Sequence, residues 1–365
     1  MKAALLKGLN HFEVEEIRQP VPREYEILVA VKAAGICGSD IHKMQNEWKY
    51  DLPMVMGHEF SGVVEAIGDR VKKVSVGDRV AIAPLIPCHD CLYCDSGKYQ
   101  LCENYTMIGS HRYGGFEEFV TVPEENVINI GKNISFEEAA MIEPLAVAAH
   151  GVMGLDPKIG DTVAVFGLGT IGILTVQWLR LTGVKKIIGI DIDSNKIIEA
   201  EKYGVTDTIN SLEESLVDRI FELTDNIGVD IAIECAGSKI TEEQCLLITK
   251  KGGVIGYQGI AYSDVLLHQT AFENIFRREY TINGFWNSYS APFPGKEWVH
   301  SAQFIEQGKI NLKDLISHRY DLIDIQKAFN LTVNREETYN KVMIFPEGRK
   351  EEKNNEGCFK TSPRL

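Results

Sequence analysis

An apolar run, Thr162-Val163-Ala164-Val165-Phe166, leads straight into Gly167-Leu168-Gly169-Thr170-Ile171-Gly172, and a stretch of helical character follows from Ile171 to Leu181. A buried strand, a G-x-G-x-x-G turn and a helix in this order make a βαβ unit. Such a unit commits the surrounding chain to a parallel sheet with covering helices. The glycines permit a tight turn and close approach of backbone amides to an anion, and the helix N-terminus adds partial positive charge. The next strand, Lys186 to Ile190, leads to Asp191, 19 residues after Gly172. A carboxylate there accepts hydrogen bonds from ribose hydroxyls and repels a 2′-phosphate, so NAD is expected in preference to NADP. Gly167, Gly169, Thr170, Ile171, Gly172 and Asp191 are the expected coenzyme contacts, with Asp193 reinforcing the charge. Lys196 is either an adenosine-side contact or a solvated lysine at a helix start.

The alternation continues with a helix from Asn195 to Tyr203 and strands at Val229 to Glu234, Gly253 to Tyr257 and Thr281 to Phe285. The expected coenzyme domain is therefore α/β, a doubly wound parallel sheet over residues 151–289. Residues 1 to about 125 read differently. Ile27 to Ala33, Val63 to Gly68 and Asp78 to Ile82 are strand-like runs flanked by Gly or Asp, with weak helical period. The residues that carry chemistry are expected in the connections between them. The pattern turns mixed again from about 290. The end, 347–365, is polar, charged and aperiodic, and is expected to be disordered. With 365 residues, two domains are expected, since one core seldom grows that large.

Cys88, Cys91, Cys94 and Cys102 are spaced C-x2-C-x2-C-x7-C. Four thiolates at this spacing close a tetrahedron on one zinc and leave no open position, which marks a structural site. His89, inside the loop, is expected at the surface because four sulfurs already saturate the metal.

A second set is dispersed: Cys37 in GICGSDIH, His58 and Glu59 in GHEFSG, and Glu143 in MIEPL. A Cys, a His and a carboxylate converging on one zinc with an open fourth position would make a catalytic centre. The residues alone leave this open. A single Cys is commonly apolar filler, a single His a hydrogen-bonded scaffold residue, and Glu143-Pro144 can simply begin a helix.

The formal net charge of −14 disfavours nucleic acid and anionic lipid as partners. No run approaches the ~18 apolar residues a membrane helix needs, and no secretory signal is evident, so a cytoplasmic protein is expected. Five of the eight cysteines lie between Cys37 and Cys102, which in that compartment points to metal ligation before disulfides.

Together, CGSDIH, GHEFSGVVEAIG, the four-cysteine lobe, the Glu-Pro pair before residue 150 and GLGTIG, in this order, resemble the zinc-containing medium-chain dehydrogenase/reductase family. The resemblance covers residues 1 to about 346. It implies a GroES-like β-barrel catalytic domain from 1–150 and 290–346, with the chain returning to the barrel after the Rossmann domain. It implies two zincs per subunit, with Cys37, His58, Glu143 and, directly or by exchange with water, Glu59 around the catalytic one. Glu143 fits the polyol branch, and a homodimer or homotetramer follows, paired through the Thr281 to Phe285 strand. The implied reaction moves a hydride from a secondary alcohol of a polyol or polyol phosphate to NAD. Galactitol 1-phosphate, giving tagatose 6-phosphate, is the first expected substrate; sorbitol, butanediol and threonine are the alternatives.

Ser39 is the expected proton acceptor, with His42 passing the proton onward or standing as an exposed loop histidine. Asp40 is expected to orient the zinc shell or cap the turn. Arg112 is the first candidate for a substrate phosphate, ahead of Lys43 and Lys296. Trp286 and Tyr289 line the pocket or belong to core or interface. Two rival readings remain at this point. A coenzyme-binding sensor without catalysis is opposed by the intact Cys37, Ser39, His58 and Glu143 set. A nucleic-acid-binding zinc protein is opposed by the charge.

Overall fold

Glu26–Gly35 is a ten-residue strand with nine buried positions, as a strand covered on both faces must be. In the computed structural model, which describes residues 1–46, 51–334 and 337–349, it forms the spine of a seven-stranded sheet. Glu59–Ile67, Phe119–Pro123 and Lys341–Phe345 all pair antiparallel with it. Arg79–Ile82 and Val127–Asn129 extend the sheet on one side, and Ile316–Asp321 on the other. A smaller sheet of Lys2–Gly8, His11–Glu16 and Met54–Val55 packs its apolar face into the same core. The two C-terminal strands thus complete a sheet begun by the N-terminal third.

The segment between them forms a six-stranded parallel sheet. Its order is Asp207–Asn210, Lys186–Asp191, Thr162–Phe166, Val229–Glu234, Thr249–Tyr257 and Thr281–Gly284. In chain order this is 3-2-1-4-5-6, and the order reverses between Thr162–Phe166 and Val229–Glu234. Ligands bind in the crevice such a reversal opens at the carboxyl ends of the strands. The helix Ile142–Leu155 joins the two units, because its apolar residues share one core with Ala83 and Leu85 on one side and Val163 and Val165 on the other.

Several elements depart from the sequence expectation. Glu59 opens a strand instead of lying in a connection, because its backbone pairs with Gly35. Asp207–Asn210 is an edge strand that the sequence hides: four residues with one buried apolar side chain carry too little period to read. Order extends past residue 347. Arg349 donates from its backbone N and from Nε to Asp321 Oδ1, at 3.0 and 3.1 Å. The rest of the expected disordered tail, 350–365, lies outside the described residues. Among the described residues no helix is long and apolar enough to cross a membrane.

Candidate metal and dinucleotide site

The strand Glu26–Gly35 delivers Cys37 two residues beyond its end, where Cys37 becomes the N-cap of the helix Gly38–Gln45. The antiparallel register sets Gly35 opposite Glu59, so His58 and Glu59 arrive at the same edge. Gly35 is needed there because a Cβ would collide with Glu59 Oε2. The ligand atoms of Cys37, His58 and Glu59 all lie within 4.8 Å of one another. Glu143, near the start of the helix Ile142–Leu155, is buried beside them but outside that group of three. Burial first, and then the neighbouring Glu59 and Asp40 charges, push its carboxyl up to about 7 against the pull of His58 and Lys341.

Asp40 is fully buried. Its Oδ2 accepts from Cys37 N at 3.2 Å, and its Oδ1 lies 3.3 Å from His58 Nδ1. Burial pushes the Asp40 carboxyl up, but His58 more than reverses this and holds it at about 2. A carboxylate beside one imidazole nitrogen is the usual support for a metal-ligating histidine. Asp40 thus caps the turn and is the charged neighbour of His58.

Lys341 is the functional residue sequence reasoning missed. Its Nζ donates to Glu59 Oε2 at 2.6 Å and to the Ile36 carbonyl at 3.1 Å. The available signal was a lysine heading the strand Lys341–Phe345, whose first four positions are all buried. A lysine is almost never fully buried without a partner.

Cys37, Glu59, Glu143 and Asp40 gather in a largely buried space around His58, with Lys341 on Glu59 and Lys43 3.6 Å from Asp40. A thiolate, imidazole and carboxylate set of this kind suits zinc. The second cluster is all sulfur. Cys88, Cys91, Cys94 and Cys102 have ligand atoms within 4.8 Å of one another, with Cys88 and Cys94 sulfurs 4.0 Å apart. The Cys94 and Glu103 backbone amides pull the Cys91 thiol down to about 6, toward the thiolate a metal requires. His89 is turned outward onto Glu125, 3.0 Å away.

Of the remaining candidates, Ser39 donates to Cys37 Sγ at 3.4 Å and so stands at the cluster. His42 Nδ1 lies 3.1 Å from Asn46 Nδ2, and its ring stacks on Tyr262. Arg112 does not reach the site. Its Nη2 pairs with Glu26 Oε1 at 2.7 Å, and Glu26 opens the strand whose far end carries Cys37. Tyr289 is core, not pocket: it is 2% exposed, its hydroxyl accepts from Leu85 N at 2.9 Å, and its ring stacks on Phe293. Trp286 is 46% exposed. Lys43 Nζ donates to Ser110 Oγ at 2.7 Å and lies 3.6 Å from Asp40 Oδ1. Lys296 is exposed at a helix start.

A cavity of about 1090 Å³ lies at the strand-order reversal, lined by Gly167, Gly169, Asp191 and Lys196 among others. A second, of about 300 Å³, is lined by Cys37, Glu59, Thr170, Ile171 and Lys341. The two share Gly169, Lys196, Cys235, Ala236 and Tyr339, so the glycine turn and the metal cluster open onto one continuous cleft. Gly172 faces inward instead, where a Cβ would collide with the Gly167 carbonyl. Asp191 accepts from the backbone N of Leu168 and Ile192, both at 2.7 Å, and of Asp193 at 3.0 Å. It therefore stiffens the turn as well as facing the cavity.

Residues 23–132 match the alcohol dehydrogenase GroES-like domain, and residues 170–305 match the zinc-binding dehydrogenase family. Galactitol 1-phosphate 5-dehydrogenase of Escherichia coli K12 is 32% identical over 91% of this chain and 96% of its own length. A crystal structure of galactitol-1-phosphate dehydrogenase from Escherichia coli superposes with a TM-score of 0.90, over 95% of this chain and all of that one. Sorbitol dehydrogenase of Bacillus subtilis strain 168 is 30% identical over 95% of this chain and 97% of its own. The NADP-bound structure of a zinc-binding dehydrogenase from Sinorhizobium meliloti 1021 is 33% identical, with a TM-score of 0.87 over 94% and 99%. The barrel with two metal-ligating clusters, the doubly wound sheet and these similarities make one statement: this chain belongs to the zinc-binding, medium-chain alcohol dehydrogenase family.

Proposed function

We propose that the protein oxidises a secondary alcohol carbon of a polyol or polyol phosphate, using zinc and NAD. The observation that carries this reading is the shared cleft, in which Cys37 and Glu59 face the same space as Thr170 and Ile171. Bound zinc supplies the Lewis acid that makes an alcohol acidic, and bound NAD supplies the hydride acceptor. Cys37 Sγ, the His58 imidazole and the Glu59 or Glu143 carboxylate hold the cation. Asp40 fixes the His58 ring, and Lys341 holds the Glu59 carboxylate in place through the 2.6 Å contact to its Oε2. Ser39 Oγ, half-buried beside Cys37, takes the substrate proton and passes it to water. The Gly169 to Ile171 turn receives the pyrophosphate on the helix N-terminus, and Asp191 selects NAD by repelling a 2′-phosphate.

Galactitol 1-phosphate is the first substrate to test, given the similarity to the Escherichia coli enzyme. One observation favours an unphosphorylated polyol such as sorbitol instead: Arg112, the expected phosphate clamp, is engaged by Glu26 away from the cleft. We also propose a homodimer built on Thr281–Gly284. This edge strand is mostly exposed, and Phe272 and Phe276 on the adjoining helix are 54% and 58% exposed.

The test is NAD reduction by zinc-loaded protein with galactitol 1-phosphate, other polyol phosphates, sorbitol, butanediol and threonine. Turnover with a polyol or its phosphate at the highest kcat/KM is expected. Preference for threonine, or no turnover with any of them, overturns the reading.

A further inference from the structure

Thr170 stands in the dinucleotide turn and opens the helix Thr170–Arg180. Its hydroxyl leaves that helix: Oγ1 donates to the Asn340 carbonyl at 3.0 Å. Asn340 directly precedes the strand Lys341–Phe345, so the bond runs from the parallel-sheet unit to the barrel. Thr170, Asn340, Lys341 and Glu59 all line the smaller cavity, which places the contact in the cleft itself.

Asn340 is 8% exposed and is held from several sides. Its backbone N donates to Ser317 Oγ at 3.1 Å, on the strand Ile316–Asp321. Its Nδ2 donates to Glu199 Oε2 at 2.6 Å, on the helix Ser194–Glu201. Ser317 Oγ in turn donates to the Lys341 carbonyl at 3.2 Å. The peptide units before Asn340 and after Lys341 are thus tied to the barrel through Ser317. The unit between them is tied at its carbonyl to the coenzyme turn through Thr170. A peptide unit is planar, so a hold on the Asn340 carbonyl is also a hold on the Lys341 Cα at its other end. From that Cα the Lys341 side chain reaches Glu59 Oε2 at 2.6 Å and the Ile36 carbonyl at 3.1 Å.

We propose that Thr170 is a positioning residue for Glu59: its hydroxyl, acting through the Asn340–Lys341 peptide, seats the Lys341 ammonium on Glu59 and so sets how firmly that carboxylate binds the metal. The inference rests on the dehydrogenase reading for the use of this coupling, a catalytic metal with an open position that the alcohol must reach. The sign follows from charge burial. The Lys341 ammonium and a bound metal ion share the Glu59 carboxylate, and a buried charge that loses one partner leans on the other. Zinc is therefore held more tightly when Thr170 lets go. Because Thr170 belongs to the turn that receives the coenzyme, the two sites are coupled through this one hydrogen bond, and the coupling is reciprocal.

The experiment follows zinc release to a chelating dye from coenzyme-free, fully zinc-loaded protein, with thermal unfolding as the check on folding. Two phases are expected, one for each cluster, and the phase missing in Cys37→Ser belongs to the Cys37 cluster. Thr170→Val keeps the side-chain shape and removes the hydroxyl. It is expected to slow the Cys37-cluster phase about two- to tenfold, as loss of one hydrogen bond would, and to leave the lobe phase unchanged. Thr170→Ser, which keeps the hydroxyl, should release zinc like the parent. Lys341→Met should slow the same phase, and Thr170→Val should add nothing in that background. An unchanged or faster Cys37-cluster phase in Thr170→Val overturns the proposal. So does a serine variant that behaves like the valine one, or equal slowing by valine with and without Lys341. Should Lys341→Met fail to fold, the valine and serine variants decide the matter alone. If the parent oxidises none of the polyols, the reading of function fails, while zinc release still decides the coupling.

Discussion

The Lys341 ammonium lies 2.6 Å from Glu59 Oε2, with the two side chains 3% and 1% exposed. A charge buried this deeply is tolerable only while its partner stays, and removing one partner of such a pair typically costs about 3–5 kcal/mol. Lys341→Met is therefore expected to destabilise the zinc-free protein by about that amount in urea unfolding. The loss should be smaller with zinc bound, since the cation then compensates Glu59. Unchanged stability without zinc would contradict the role given to this pair.

The two metal clusters should separate on substitution. Cys37→Ser is expected to abolish turnover, leave the unfolding midpoint nearly unchanged, and lower the zinc content from two per subunit to one. Cys91→Ser should also lower zinc to one per subunit, but with a depressed unfolding midpoint as the main effect. Elemental analysis beside thermal unfolding reads both, and an equal loss of midpoint in the two variants would refute the division.

Asp191→Ser removes the negative charge facing the coenzyme ribose. The ratio of kcat/KM with NADP to that with NAD should rise by on the order of tenfold, the equivalent of about 1.4 kcal/mol. Because Asp191 also accepts from three backbone amides, the variant should lose some efficiency with NAD as well. A parent that already uses NADP as well as NAD would remove the basis of this prediction.

Glu297 joins the helix Lys296–Glu306 to His150, with Oε1 2.9 Å from His150 Nδ1 and Oε2 accepting from Ser290 at 2.6 Å. Burial pushes the Glu297 carboxyl up, but His150 and Ser290 outweigh it and hold the pKa below the ordinary 4.5. Folding thus favours the ionised form. That contribution is complete above about pH 4.5 and drains away as pH falls through the lower folded value. The stability advantage of the parent over Glu297→Gln should shrink as pH falls below about 4.5. An advantage that grows on acidification would show the sign to be wrong.

Ile282→Asp puts a charge on the exposed edge strand Thr281–Gly284 without touching either metal cluster. It should reduce the mass measured by light scattering from dimer to monomer. A parent that is monomeric at micromolar concentration would dispose of the proposed interface.

The chain's linear order was enough for the local pieces. Gly167 to Gly172 with Asp191, and the four cysteines from Cys88 to Cys102, are chemical units closed within a few residues of each other. Their spacing alone specifies a turn, a tetrahedron and the helices beside them. Buried strands such as Thr162–Phe166 and Val229–Glu234 were equally legible, because apolar runs of that length have few other uses.

What the order could not carry was convergence. Lys341 meets Glu59 only because the last strand returns to pair with Glu26–Gly35, and Asp40 meets His58 only because that same strand sets Gly35 against Glu59. Arg112 left the site, Tyr289 sank into the core and His42 turned onto Tyr262 for the same reason. A side chain's partner is chosen by whichever buried charge, backbone amide or ring the packed fold brings within reach, and distance in sequence sets no limit on that choice.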